Sequence, residues 1–176
     1  MQAIADAIAD GNLIAEIVYV GCDVEGAYLF ERAKNLGLEC EQIDCQGYKQ
    51  KFPAEAQEAL AQKLKAMDVD LICLAGFMRL VGQPLLDIFP NRILNIHPSL
   101  LPSYPGLHAW EQAVDDDASE SGCTVHYVDA GMDTGEIIAQ AKVPILSGDT
   151  AKTLHERIQI EERKLYPQVV AKLLGL

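Results

Sequence analysis

The chain has 176 residues, 49% of them apolar and 23% charged. That is one domain's length, with enough apolar residues for a real core. A formal net charge of −12 and a pI near 4.6 exclude a generic nucleic-acid binder, which needs a basic stripe to neutralise phosphates. An anionic small substrate stays possible, because a cleft needs only local positive charge or backbone amides.

Gln2–Asp10 predicts a short helix, with Ile4 and Ile8 on one face and Gly11 as its stop. Ala15–Val20 (AEIVYV) predicts a strand of β-branched and aromatic residues. Gly26–Leu36 has helical spacing and ends at Gly37, the expected residue after a helix. Cys40–Cys45 is a weaker strand, and Pro53–Met67 a helix with proline in its first turn. Val69–Ala75 (VDLICLA) is the nearly all-apolar pattern of a strand covered on both faces. A short helix at Pro84–Ile88, then strands at Arg92–His97, Cys123–Val128 and Glu136–Pro144, lead to a last helix over about Thr150–Leu173. Alternating helices and strands predict one three-layer α/β domain over residues 1–176, a mostly parallel twisted sheet flanked by helices. The chain opens on a helix, whereas nucleotide-type α/β domains open on a strand and a glycine-rich turn. The longest strictly apolar run, Leu71–Met78, is too short to span a bilayer, and no basic region precedes an apolar stretch as in a secretory signal. Five cysteines, an odd number without a C-x-x-C pair, argue against disulfides and zinc ribbons. A soluble, reduced, cytoplasmic protein is expected.

Leu94–Gly106 (LNIHPSLLPSYPG) is the most informative stretch. Asn95 and His97 stand two apart on a strand that Pro98 ends, so both side chains leave one face at the strand's carboxyl end. An amide donor beside an imidazole can stabilise an oxyanion. A capping Asn and a half-buried, hydrogen-bonded His give the same pattern. Met132-Asp133-Thr134-Gly135 offers either a carboxylate partner for His97 or an Asx turn before Gly135. Asp-Thr-Gly also matches the aspartic-protease triplet, but those proteases pair two such loops on a mostly β fold. His97, His108, His126 and Asp133 lack metal-ligand spacing, so no metal is expected. There is no dinucleotide or P-loop motif, and Ser99 lacks a nucleophile elbow.

With these residues in place, the chain resembles the glycinamide ribonucleotide formyltransferases, folate-dependent enzymes of purine biosynthesis. LAGFMRLV (74–81), LNIHPSLLPSYPGLHA (94–109), GCTVHYVDAGMDTGEII (122–138), QAKVPI (140–145) and RIQIEERKLYP (157–167) match that family's motifs in its order. The resemblance implies a formyltransferase-type Rossmann-like fold and formyl transfer from 10-formyltetrahydrofolate, a co-substrate, to the amine of glycinamide ribonucleotide. Asn95, His97 and Asp133 match the catalytic trio. Met78, Arg79, Leu80 and Val81, with Asp129, Ala130, Gly131 and Met132, match the folate pocket. Gln159, Ile160, Glu161 and Glu162 match the segment that holds the ribonucleotide. Small-molecule partners, no nucleic acid, no membrane and a monomer or homodimer are implied. AGFMRL favours this family over formyltetrahydrofolate deformylase and methionyl-tRNA formyltransferase. The family's first strand and phosphate loop would lie before Met1, making the domain N-terminally short. A basic family position falls at Phe52-Pro53, with Lys51 alongside. Deformylation of the same folate, and an inactive folate-binding chain, are the alternatives.

Overall fold

The computed structural model describes residues 1–48 and 51–175. In chain order the elements are α1 (Gln2–Ala9), β1 (Val20–Cys22), α2 (Tyr28–Asn35), β2 (Cys40–Gln42), α3 (Ala54–Ala66), β3 (Ile72–Leu74) and α4 (Gln83–Leu86). They continue with β4 (Ile93–His97), α5 (Ala109–Asp115), β5 (Glu120–Tyr127), β6 (Ile137–Pro144) and α6 (Ala151–Leu173). β1 and β2 form a parallel pair, and β3-β4-β5-β6 a four-stranded sheet in that order. β3 and β4 run parallel, while β5 and β6 are antiparallel to their neighbours.

Side-chain alternation along β4 divides the molecule into layers. Ile93 packs with Phe52, Ala61, Leu64, Val81, Leu85 and Phe89, on the side of α3 and α4. Leu94 faces the other way, against Val125 and the α6 residues Tyr166, Val169 and Val170, with α1 closing the edge through Ile4 and Ile8. Cys123 and Val143 continue that layer with Leu154 and Ile158. Burial pushes the Cys123 thiol up to about 12, which marks it as core and not as a nucleophile. Asn95 and His97 therefore leave the sheet on the face opposite α6.

α6 starts at a Thr150–Thr153 capping box. Tyr166, in the RKLYP motif, pins it to the sheet: its buried hydroxyl donates to Leu74 O at 2.8 Å, with Leu94 O at 3.2 Å. No helix of the described residues is long and apolar enough to cross a membrane.

The expected strand over Ala15–Val20 is corrected. Only Val20–Cys22 joins a ladder, because the partner β2 is itself three residues long. The preceding segment leaves Ile14 and Val18 exposed. Val69–Ala75 likewise reduces to Ile72–Leu74, an edge strand that pairs only with β4; both its faces are covered, Ile72 and Leu74 packing on the α3 side and Leu71 and Cys73 on the α6 side. Helix α5 was not foreseen. It is seven residues long, and its N-cap, His108, is left-handed (φ 58) and makes no capping bond.

A nearly buried cation ties the segment after β3 to the end of β1. Arg79 Nε donates to Asp23 Oδ2 at 2.6 Å, and its Nη1 donates to Tyr48 O and Lys51 O, both at 2.7 Å. Its side chain is 6% exposed and that of Asp23 12%. Asp23→Asn removes the charge while keeping the shape, and should lower stability by about 1.5–3 kcal/mol, the range of a charge-assisted hydrogen bond. An unchanged urea midpoint would show that the tie contributes nothing.

Candidate active site

β4 delivers Asn95 and His97 to one face, and the antiparallel register sets His126 opposite Asn95 and Thr124 opposite His97. The turn between β5 and β6 brings Asp133 onto the same group. Asp133 is left-handed (φ 55), a conformation Asp tolerates better than most residues. Gly135 makes the close approach possible, since a Cβ there would overlap Tyr127 O.

Four donors or rings face the Asp133 carboxylate. Gly106 N donates to Oδ2 at 2.8 Å, and His97 Nδ1 stands 3.3 Å from the same oxygen. His126 Nε2 and Asn95 Nδ2 each lie 3.5 Å from Oδ1. Burial pushes this carboxyl up, but the His126 hydrogen bond, the Gly106 amide and the charges of both imidazoles outweigh it and hold Asp133 below the usual carboxylate range.

The two histidines are held differently. His126 Nδ1 meets Tyr127 O at 2.8 Å, and its Nε2 lies between Asn95 Nδ2 at 3.2 Å and Asp133 Oδ1 at 3.5 Å; with hydrogen on Nδ1 alone Nε2 accepts from Asn95, and with hydrogen on both nitrogens it donates to Asp133. His97 faces acceptors on both sides, Asp133 at Nδ1 and Tyr104 O at Nε2, the latter at 2.8 Å. Both contacts are hydrogen bonds only when both nitrogens carry hydrogen. Asp133 has imidazoles about it rather than the second carboxylate that an aspartic protease requires.

The Asx turn belongs to Asp129, not to Asp133. Asp129 Oδ1 accepts from Gly131 N at 3.0 Å and Thr134 Oγ1 at 2.7 Å. That turn fixes residues 129–134 and frees Asp133 to point inward.

The residues expected to line a folate pocket differ in exposure. Met78, Leu80 and Met132 are exposed apolar side chains. Val81 is 5% exposed and packs into the core with Phe52 and Phe89, so it can offer a ligand only its backbone. Arg79 turns inward to Asp23, as above, and Ala130 and Gly131 are exposed in the turn. Phe52 is core, edge-on to Phe77, and Lys51 is exposed with its ammonium over the Tyr48 ring.

The α6 residues do not join the trio. Glu162 faces the core near Cys123, on the opposite side of the sheet. Gln159 reaches His155, Glu161 pairs with Lys164, and Ile160 is exposed. Burial pushes the Glu162 carboxyl up to about 7, against a lowering pull from Arg163. Between its ordinary 4.5 and about 7 the folded chain keeps a proton that the unfolded chain has released. Stability is therefore full below the ordinary value and declines as pH rises toward 7. Glu162→Gln removes that slope. It should be more stable than the parent at about pH 8 by about 2 kcal/mol, after allowance for partial exposure. Parallel curves of Tm against pH would contradict this.

No group of three or more His, Cys, Asp or Glu among the described residues is placed to hold a metal. His108 is exposed, bonded to Glu111 and edge-on to Trp110. Sequence reasoning weighed His126 only as a metal ligand and did not assign it to the Asn95–His97–Asp133 group. Its one available signal was the alternation Thr124–His126 against Cys123–Val125.

Residues 1–170 match the family model described as formyl transferase. The chain is 41% identical to a phosphoribosylglycinamide formyltransferase of Bacillus subtilis, covering 99% of this chain and 89% of that one. It is 44% identical to the trifunctional purine biosynthetic protein adenosine-3 of Drosophila pseudoobscura pseudoobscura over 98% of this chain, but spans only 13% of that much longer protein. The crystal structure of glycinamide ribonucleotide transformylase 1 from Symbiobacterium toebii superposes with a TM-score of 0.91 at 47% identity, covering 97% of this chain and 79% of that one.

Proposed function

The chain belongs to the formyl transferase family, and from that premise we propose that it moves a formyl group from 10-formyltetrahydrofolate to the amine of glycinamide ribonucleotide. The observation that carries the reading is the convergence of Asn95 and His97 on Asp133, next to the exposed apolar Met132 of the same turn. Apolar side chains beside a few aimed polar groups suit a flat heteroaromatic ligand.

The ribonucleotide amine adds to the formyl carbon, and negative charge builds on the formyl oxygen. An Asn95 amide hydrogen and the His97 Nε2 hydrogen, the latter now on Tyr104 O, are the two donors assigned to that charge. Asp133 keeps His97 protonated from the Nδ1 side and takes part in moving the amine's proton through water to the folate nitrogen, which leaves as tetrahydrofolate when the oxyanion collapses and the bond between that nitrogen and the formyl carbon breaks. Residues 78–81 and 129–132 are assigned to the folate. Val81 and Gly131 contribute backbone, while Arg79 holds the segment in place from behind. Residues 159–162 are assigned to the ribonucleotide by their match to the family's motif alone, Gln159 and Glu162 as the matching polar positions and Ile160 and Glu161 by position, since α6 lies across the sheet from the trio. No step requires a metal. The chain acts as one domain, and its five free thiols suit a reduced, cytoplasmic setting.

Incubation with folate carrying a labelled formyl carbon tests this reading. The label should appear on the ribonucleotide amide and only when ribonucleotide is present. Label released as formate without ribonucleotide would identify a deformylase, and folate binding without turnover an inactive chain.

A further inference from the structure

The QAKVPI segment has no part in the chemistry derived so far. The register places His97, Thr124 and Gln140 opposite one another on β4, β5 and β6, so the three side chains form one row on the site face. Gln140 Nε2 spends both its hydrogens there, donating to Leu101 O and to Thr124 Oγ1, each at 2.9 Å. Thr124 is fully buried. Its hydroxyl donates to Ser99 O at 2.6 Å and accepts from Leu101 N at 3.0 Å, which saturates it. Ser99, also fully buried, donates to Ser103 O at 2.6 Å. The next carbonyl, Tyr104 O, meets His97 Nε2, and two residues later Gly106 N donates to Asp133.

Residues 98–106 belong to no helix or strand, and Tyr104 and Gly106 are left-handed, with φ of 54 and 81. The segment is held at both ends of the row: by Thr124 and Gln140 on one side, and by His97 and Asp133 on the other. We infer that Gln140 is a positioning residue. Through Thr124 and the Leu101 carbonyl it fixes residues 98–106 so that Tyr104 O sets the orientation of the His97 ring and the hydrogen on its Nε2. The kinetic consequence rests on the formyl-transfer reading; the effect on His97 does not.

Gln140 is exposed apart from its amide, so its replacement leaves the core intact. Gln140→Glu puts a carboxylate, which cannot donate, against Leu101 O. Thr124→Val removes the hydroxyl at constant shape, and Thr124→Ser restores it. The test is the imidazole nitrogen spectrum of histidine-labelled protein, with kcat and KM measured on the same samples. Gln140→Glu and Thr124→Val should move the His97 Nε2 resonance away from its hydrogen-bonded position, while Thr124→Ser keeps it. kcat should fall about tenfold, the equivalent of one hydrogen bond, with both KM values little changed. An unmoved His97 resonance in Gln140→Glu overturns the inference, whatever happens to Tm or kcat. If Thr124→Val does not fold, Gln140→Glu decides alone. A moved resonance in a protein that transfers no formyl group upholds the positioning role and removes the formyl-transfer reading instead.

Discussion

Replacing His97 with alanine should lower kcat about a hundred- to a thousandfold, the cost of one oxyanion donor at about 2.7–4 kcal/mol. The side chain is 6% exposed, yet its bonds run to groups that keep other support. Asp133 retains the Gly106 amide, and Tyr104 O retains a longer contact from Ser99 Oγ at 3.3 Å. The fold should therefore persist, with KM for both substrates close to the parent values, because the donor acts on charge present only in the transition state. Near-normal kcat in a folded variant would take His97 out of the mechanism.

Asp133→Asn should cost about as much or more, on the order of 10²–10⁴-fold in kcat. For comparison, an amide in place of the orienting carboxylate of a Ser-His-Asp triad costs about 10⁴-fold. Asn accepts the left-handed backbone that Asp133 adopts, so the turn itself is not strained. The amide cannot hold a charged imidazole on Nδ1, and its NH₂ group faces two rings that both came to an acceptor. Stability reports the same change. A carboxyl held low in the folded state stabilises above its ordinary pKa and loses that contribution as pH falls through the lowered value. The parent should thus show a steeper acid limb in its Tm profile than Asp133→Asn, in which Asp149, held low by Arg157, still contributes. Superimposable profiles would mean that the carboxylate is not stabilised by its neighbours.

Half of this site could be read along the chain. The strand with Asn95 and His97, ended by Pro98, requires only period-two alternation. The rest depends on register, which sequence does not state. His126 matters because it stands across from Asn95, and Gln140 because it stands across from Thr124. Asp129 and Asp133 lie four apart in one turn, and only the folded chain shows which makes the Asx bond and which points inward. Arg79 sits in a segment expected at the pocket, but a carboxylate on β1's end draws its guanidinium inward. Ala15–Tyr19 has the composition of a strand without a partner to pair with; β propensity measures fit to a pleated surface and not the presence of a neighbour.

The claim at the centre is that His97 and Asp133 work as one unit on the formyl oxygen. Units of this kind are grossly non-additive: once one member is gone, the other has little left to do. The decisive measurement is kcat for His97→Ala, Asp133→Asn and the double variant, all under saturating substrates. Unit action requires the double variant to be about as slow as the slower single variant. A double variant slowed by the product of the two single effects would show that the residues act independently, and would contradict the site as drawn.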